Sequence, residues 1–250
     1  MAQPELLVAA SKGEVSTVLC NKIVAIASDT LHKKNQSKFT IALSGGSLPK
    51  FLSKLSSTFQ DRGIDPKWEC WHVFLADERC VPLADDDSNL KSINSNFLDN
   101  PSCPNTIPDS QIYGIDQELV QALVAVQKED PTKIAAATDA IAVRYEEIMT
   151  KVLLKNDDGT PVSLFDLAVL GFGPDGHTCS LFPGHPLVTS SSTTSRWVQS
   201  ITDSPKPPPC RITLSMSFLN ERTNHVIVCG AGASKYPIIK DVFVGESLSS

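Results

Sequence analysis

Residues 164–184 constrain the fold of this chain more than any other segment. Seven mostly apolar residues, Leu164-Phe-Asp-Leu-Ala-Val-Leu170, run directly into Gly171-Phe-Gly-Pro-Asp-Gly-His-Thr-Cys-Ser-Leu-Phe-Pro-Gly184. So short an apolar run, closed by glycine and proline, predicts a buried strand that ends in a turn. Glycines allow positive φ and a close approach of backbone to ligand. The turn carries one carboxylate, Asp175, and one imidazole, His177. In an open α/β sheet, ligands bind outside the carboxyl ends of the strands. The segment therefore suggests an architecture and a chemistry together.

The rest of the chain repeats the pattern. Glu14 to Leu31 has helical spacing, with Val15, Val18, Leu19, Ile23, Ile26 and Ala27 on one face. Phe39 to Leu43 predicts a strand ending in Ser44-Gly-Gly-Ser47, and Leu48 to Leu55 returns to helical spacing. Trp71 to Ala76 predicts a strand ending in Asp77-Glu-Arg79, and Lys133 to Leu154 a long amphipathic helix. Arg211 to Leu214 and His225 to Cys229 read as later strands, followed by a helix over Ala233 to Val244. Strands alternating with helices predict an α/β fold, a parallel sheet covered on both faces. Pro101 to Pro108 and Thr189 to Ser195 read as surface loops, Pro205 to Pro209 as a stiff extended segment, and Asn100 to Asp130 as a partly helical insertion. Residues 1–250 read as one domain.

Composition excludes several classes of function. The 250 residues carry a formal net charge of -6, which argues against a nucleic-acid surface. Seven cysteines, an odd number without CxxC spacing, argue against a disulfide framework or a zinc ribbon and for a reduced compartment. Met1 to Val8 does not read as a secretory signal, and no apolar run approaches the roughly 18 to 20 residues that span a bilayer. The expectation is a cytoplasmic protein with a small-molecule partner, no membrane contact and no bound metal.

Three loops can carry chemistry. Ser44, Gly45, Gly46 and Ser47 open a helix with hydroxyls and free amides, an arrangement that serves an anion or, equally, a simple cap. Asp77 and Arg79 bring a carboxylate and a guanidinium into one crevice, or form a surface ion pair. His177, with Asp175 beside it, is the strongest candidate. Its ordinary pKa of about 6.5 suits proton transfer at neutral pH, and its turn places it for general-base work. His32, His72, His185 and His225 lack such a setting, a catalytic role for Cys179 has little support, and Asp85-Asp-Asp87 reads as a solvated loop. Lys206, Arg211 and Lys235 each stand at a loop or element start. Read alone, these residues describe an α/β anion site with a histidine base.

In order, Leu43-Ser-Gly-Gly-Ser47, Ala76-Asp-Glu-Arg-Cys-Val-Pro82, Asp87-Ser-Asn89, Gly173-Pro-Asp-Gly-His-Thr-Cys-Ser-Leu-Phe-Pro183, Asp203-Ser-Pro-Lys-Pro-Pro208, Arg211-Ile-Thr-Leu214 and Gly232-Ala-Ser-Lys235 resemble the 6-phosphogluconolactonase family. The resemblance runs from about Leu6 to Val244. It implies a modified Rossmann-like, mainly parallel sheet with helices on both faces. It also implies hydrolysis of 6-phospho-D-glucono-1,5-lactone in the oxidative pentose phosphate pathway without an organic cofactor. His177 would deprotonate the attacking water, and Asp175 and Asp77 would orient His177 or the sugar hydroxyls. Arg79 would stabilise the oxyanion or bind substrate. Ser44 to Ser47, Arg211, Lys235 and Lys206 would hold the phosphate.

Two further readings are open. One is a glucosamine-6-phosphate deaminase, disfavoured because Phe182 stands where that family carries a catalytic glutamate. The other is a phosphosugar-binding protein without turnover. Relatives continue past Val244 with a further strand and helix, whereas this sequence ends at Gly245-Glu-Ser-Leu-Ser-Ser250. The expectation is an exposed sheet edge with lower stability or altered association. Oligomeric state, monomer or homodimer, is left open.

Overall fold

The computed structural model describes residues 5–128, 130–153, 165–189 and 196–243. Most of the expected Thr189 to Ser195 loop, the chain end Gly245 to Ser250, and Leu154, Leu164 and Val244 lie outside the described residues.

In chain order, helix α1 (Lys12–Ser28) leads to strand β1 (Phe39–Leu43), helix α2 (Leu55–Asp61), and strands β2 (Trp71–Leu75) and β3 (Asp77–Arg79). Helices α3 (Asn89–Ile93), α4 (Gln117–Val126) and α5 (Pro131–Leu153) follow, then β4 (Phe165–Leu170) and the short α6 (Pro186–Thr189). The chain continues with β5 (Val198–Ile201), β6 (Arg211–Leu214), α7 (Met216–Glu221), β7 (Thr223–Val228) and α8 (Tyr236–Phe243).

Four strands form a parallel sheet in the order β2-β1-β4-β7. Every residue of β1 and β4 is buried, which is why their sequences are continuously apolar rather than alternating. The one charge in β4, Asp166, is satisfied next door: Thr40 donates to its Oδ2 from both N and Oγ1 at 2.8 Å. Helix α1 begins with a Ser11 cap on the Glu14 amide and buries Leu19, Cys20, Ile23, Val24 and Ala27 at helical spacing. β7 is one edge of this sheet, with Val226 and Val228 45% and 57% exposed.

Three strands depart from the expected single parallel sheet. β3, β6 and β5 form a separate antiparallel sheet, with Asp77 opposite Thr213, Glu78 opposite Ile212 and Arg79 opposite Arg211. Asp77 to Arg79 is thus a short strand rather than a turn, and Arg211 to Leu214 lies outside the parallel sheet. β5 has no counterpart in the sequence reading. Its first amide and that of Trp197 donate to Glu146 Oε2 of α5, at 3.0 and 3.1 Å.

The two sheets meet at Ala76. Its amide donates to the Leu43 carbonyl of β1, and its carbonyl accepts from the Leu214 amide of β6, both at 2.9 Å. Just before this junction, the fully buried Tyr145 of α5 accepts a 2.7 Å hydrogen bond from the Leu75 amide. Tyr145→Phe keeps the ring but strands that buried amide. It should cost about 1–3 kcal/mol in denaturant unfolding; an unchanged midpoint would show that the junction does not need the hydroxyl.

Candidate active site

β1 lies between β2 and β4, so the chain leaves β1 to one side and later returns on the other. Such a switch point opens a crevice at the carboxyl ends of the strands. A cavity of about 300 Å³ occupies it, lined by Ser44 after β1, Gly171 after β4 and Cys229 after β7. Of the sequence-predicted residues, Ser44, Gly45, Gly46, Ser47, Asp77, Arg79, His177, Lys206, Arg211 and Lys235 line it too. Asp175 acts from behind His177.

His177 Nδ1 lies 2.6 Å from Asp175 Oδ1. A neutral imidazole carries one proton, and a carboxylate can only accept, so Nδ1 donates and Nε2 keeps its lone pair. Lys206 Nζ, 3.1 Å from Nδ1, directs its charge to Asp175 Oδ2 at 2.9 Å. Burial would raise the Asp175 carboxyl, but the hydrogen bonds from Lys206 and His177 overrule it and hold the group well below the usual carboxylate range. Burial lowers the His177 pKa; the Asp175 hydrogen bond pulls upward, and the Lys206 charge pulls downward again. The net shift favours the neutral ring, whose Nε2 lone pair is then available. Gly173 makes the pair possible, because a Cβ there would collide with His177 Nδ1 and Asp175 Oδ1.

Asp77 is buried and does not pair with His177. Its Oδ2 accepts from Ser180 Oγ at 2.9 Å, and its carbonyl accepts from Asn89 Nδ2 at 2.8 Å. Asn89 also lines the cavity and fills the space that a side chain at Gly45 would need. Glu78 faces away from the cavity and holds this corner together. Its carboxylate accepts from the amides of Arg79, Asn89 and Leu90 at 2.7–2.9 Å and from Ser88 Oγ at 3.2 Å. Burial pushes its pKa up to about 7 against the pull of those amides. Asn89, Glu78 and Ser180 were missed as site residues. The signal available was Ser88-Asn89, a helix cap directly after an acidic loop, and the cap is real: Ser88 Oγ accepts from the Lys91 amide.

The cations converge. Arg79 and Arg211 stand opposite each other on β3 and β6. Arg211 is almost fully buried; its Nε donates to the Pro208 carbonyl at 3.0 Å, and its Nη2 to those of Lys206 and Pro207 at 2.8 and 3.0 Å. It therefore clamps the Lys206 loop as well as facing the cavity. Burial, then the Arg79 charge, lowers its pKa. Lys235 Nζ donates to the Phe172 carbonyl, and burial followed by the Lys206 charge lowers its pKa. The Ser44–Ser47 turn opens a short 3₁₀ helix, Leu48–Leu52, before α2. Among the described residues, Ser44 Oγ and Arg79 Nε are buried without a hydrogen-bond partner, and both belong to the cavity wall. Cys179 is buried, with its thiol pushed up by that burial, so it is held as a thiol and not as a nucleophile.

The chain matches the family described as "Glucosamine-6-phosphate isomerases/6-phosphogluconolactonase" over residues 10–249. It is 37% identical over 203 residues to 6-phosphogluconolactonase 3, chloroplastic, of Arabidopsis thaliana, covering 81% of this chain and 56% of that protein. It is 35% identical over 243 residues to Probable 6-phosphogluconolactonase 5 of the same plant, covering 94% of this chain and 86% of the relative. The chain thus spans little more than half of the first relative's length and most of the second's. Among solved structures, 6-phosphogluconolactonase from Leishmania guyanensis superposes with a TM-score of 0.72 at 26% identity, covering 97% of this chain and 87% of that one.

Gly173→Ala should break the Asp175–His177 contact without touching the core. The His177 side-chain resonances should shift, while the unfolding midpoint changes by about 1 kcal/mol or less. Unchanged resonances would mean that the turn can absorb a methyl group.

Proposed function

Because this chain belongs to the glucosamine-6-phosphate isomerase/6-phosphogluconolactonase family, we propose that it hydrolyses 6-phospho-D-glucono-1,5-lactone to 6-phosphogluconate in the pentose phosphate pathway. The observation that carries this reading is His177, held by Asp175 and facing a cavity whose wall bears Arg79, Lys206, Arg211 and Lys235 against one carboxylate, Asp77. A base beside a cationic seat fits an anionic substrate attacked by water.

The steps follow from the geometry. His177 Nε2 takes a proton from a water molecule as its oxygen attacks the C1 carbonyl, and the negative charge moves to the carbonyl oxygen. Arg79, whose Nη1 is held by the Asp87 carbonyl and whose Nε has no hydrogen-bond partner among the described residues, would meet that charge. Collapse of the tetrahedral intermediate breaks the bond between C1 and the ring oxygen, and the imidazolium returns its proton to the leaving alkoxide. Asp175 keeps the imidazole in the required tautomer and steadies the imidazolium. Lys235, Arg211, Ser44 Oγ and the Gly45–Ser47 backbone take the phosphate, and its remote binding positions C1 against the base. Asp77, fixed by Ser180 and Asn89, is left to meet sugar hydroxyls.

A glucosamine-6-phosphate deaminase is not favoured, since Phe182 leaves no carboxyl beneath His177. Assays with glucosamine 6-phosphate and with the lactone separate these two, and binding without turnover would identify a carrier. A cytoplasmic location is part of this reading, supported by seven cysteines that are all free. No helix among the described residues is long and apolar enough to cross a membrane.

Corrected for spontaneous hydrolysis, His177→Gln should lose about 10²–10⁴-fold in kcat while remaining folded. In the wild type, kcat/KM should hold across neutral pH and fall as pH drops through a value below about 6.5, because burial favours the neutral imidazole. An acid limb above that value would remove His177 as the base. Lys235→Met should raise KM about 10- to 100-fold with little change in kcat, as expected for losing one charge-assisted contact to phosphate. An unaltered KM would take Lys235 out of the phosphate seat.

A further inference from the structure

We propose that Phe182 is a positioning residue for the base: its buried ring is the platform that fixes the plane of the His177 imidazole, and Lys206 and Arg211 lean on the same ring. The inference rests on His177 being the base in the reading above. The two rings stack with centroids 4.7 Å apart and planes 29° from parallel. Lys206 Nζ lies 5.9 Å and Arg211 Cζ 5.6 Å from the Phe182 centroid. Phe182 is 2% exposed and does not line the cavity, so it acts through the imidazole and not on a ligand.

The need for such a platform follows from the hydrogen bonding. The Nδ1 contact to Asp175 is one point of attachment, and the ring can still swing about it. A second, planar constraint decides where Nε2 points. The loop supplies one by folding back on itself. The Gly173 amide donates to the His177 carbonyl at 2.7 Å, Cys179 takes a positive φ of 52°, and the Leu181 amide donates to the Thr178 carbonyl at 2.9 Å. That reversal carries residue 182 beneath residue 177. An aromatic face attracts cations and stacks on an imidazole, whereas an aliphatic side chain of similar bulk does neither. The ring also closes one side of the imidazole to water.

The charged groups around the imidazole are Asp175 on its own turn, Lys206 from the 203–209 loop, Asp77 from β3 and, across the ring, Arg211 from β6. Phe182→Leu alters none of these charges but takes away the ring that Lys206 and Arg211 lean on; Lys206 stays tied to Asp175, and Arg211 to the carbonyls of residues 206–208. The substitution removes the stack and admits water beside the base.

Two measurements test the inference, one of them independent of turnover. In the free wild-type protein, the His177 ring protons, identified by their loss in His177→Gln, should resonate upfield from the Phe182 ring current. Phe182→Leu should abolish that shift and raise the His177 titration midpoint towards the ordinary histidine value. In the lactone assay it should lower kcat about 10- to 100-fold, the scale of a misplaced catalytic group. KM should stay within about threefold, because Arg211 keeps its carbonyl clamp, and Lys235 and the Ser44–Ser47 turn lie outside the stack. Phe182→Tyr should restore the midpoint and most of kcat. A Phe182→Leu protein that folds with an unchanged His177 midpoint and unchanged kcat would overturn the inference, as would a wild-type His177 without the upfield shift. If the leucine variant does not fold, Phe182→Met and the wild-type shift decide. A wild type that does not hydrolyse the lactone would refute the proposed function, while the titration would still decide the role of Phe182.

Discussion

The placement of Asp77 and Arg79 in the crevice depends on one residue whose two backbone groups serve different sheets. The Ala76 amide extends the parallel sheet through Leu43, and its carbonyl extends the antiparallel sheet through Leu214. A strand that continued straight past Leu75 would carry Asp77 and Arg79 away from the crevice. The change of sheet instead swings both across the carboxyl ends of β1 and β4, into reach of the His177 turn. An alanine suits the position because it is completely buried where two sheets converge. The Tyr145 hydroxyl, arriving from α5, satisfies the amide just before the turn-off.

The parts of the fold legible in the sequence are those whose pattern reflects their own burial. β1 and β4 are buried on both faces and read as apolar runs; α1 and α5 bury one stripe and read as amphipathic. β3 was read as a turn because its three residues, Asp77, Glu78 and Arg79, are all charged. Its pairing comes from β6, more than 130 residues later, and its polar side chains serve the site and the Ser88–Asn89 corner. His177 and Asp175 were legible because their pairing is local to one turn. Asn89 and Ser180 were not, because each acquires its role by reaching Asp77 from a different loop. Arg211 was read as a phosphate ligand, but its clamp on three carbonyls could not be inferred from a strand motif.

The electrostatics of the site run against those of the chain. A protein of net charge -6 gathers Arg79, Lys206, Arg211 and Lys235 around one cavity. Arg79 and Arg211 face each other directly across two strands, a placement that is unfavourable without a counter-charge. The lowered pKa values of Arg211 and Lys235, due first to burial and then to neighbouring cations, express the same strain. On the proposed reading, a phosphate entering the cavity would relieve this repulsion, and ligand binding is expected to stabilise the fold.

The Arg211 clamp ties that relief to the base. Its Nε and Nη2 are committed to the loop carrying Lys206, while the guanidinium also faces the cavity. Lys206 in turn contacts the Asp175–His177 pair. On the proposed reading, an anion seated by Arg211 would therefore be coupled to the 206–208 backbone. By reciprocity, whatever free energy the ligand gives to the loop, an ordered loop returns to the ligand. His177 would then be held most firmly when a phosphorylated substrate is bound.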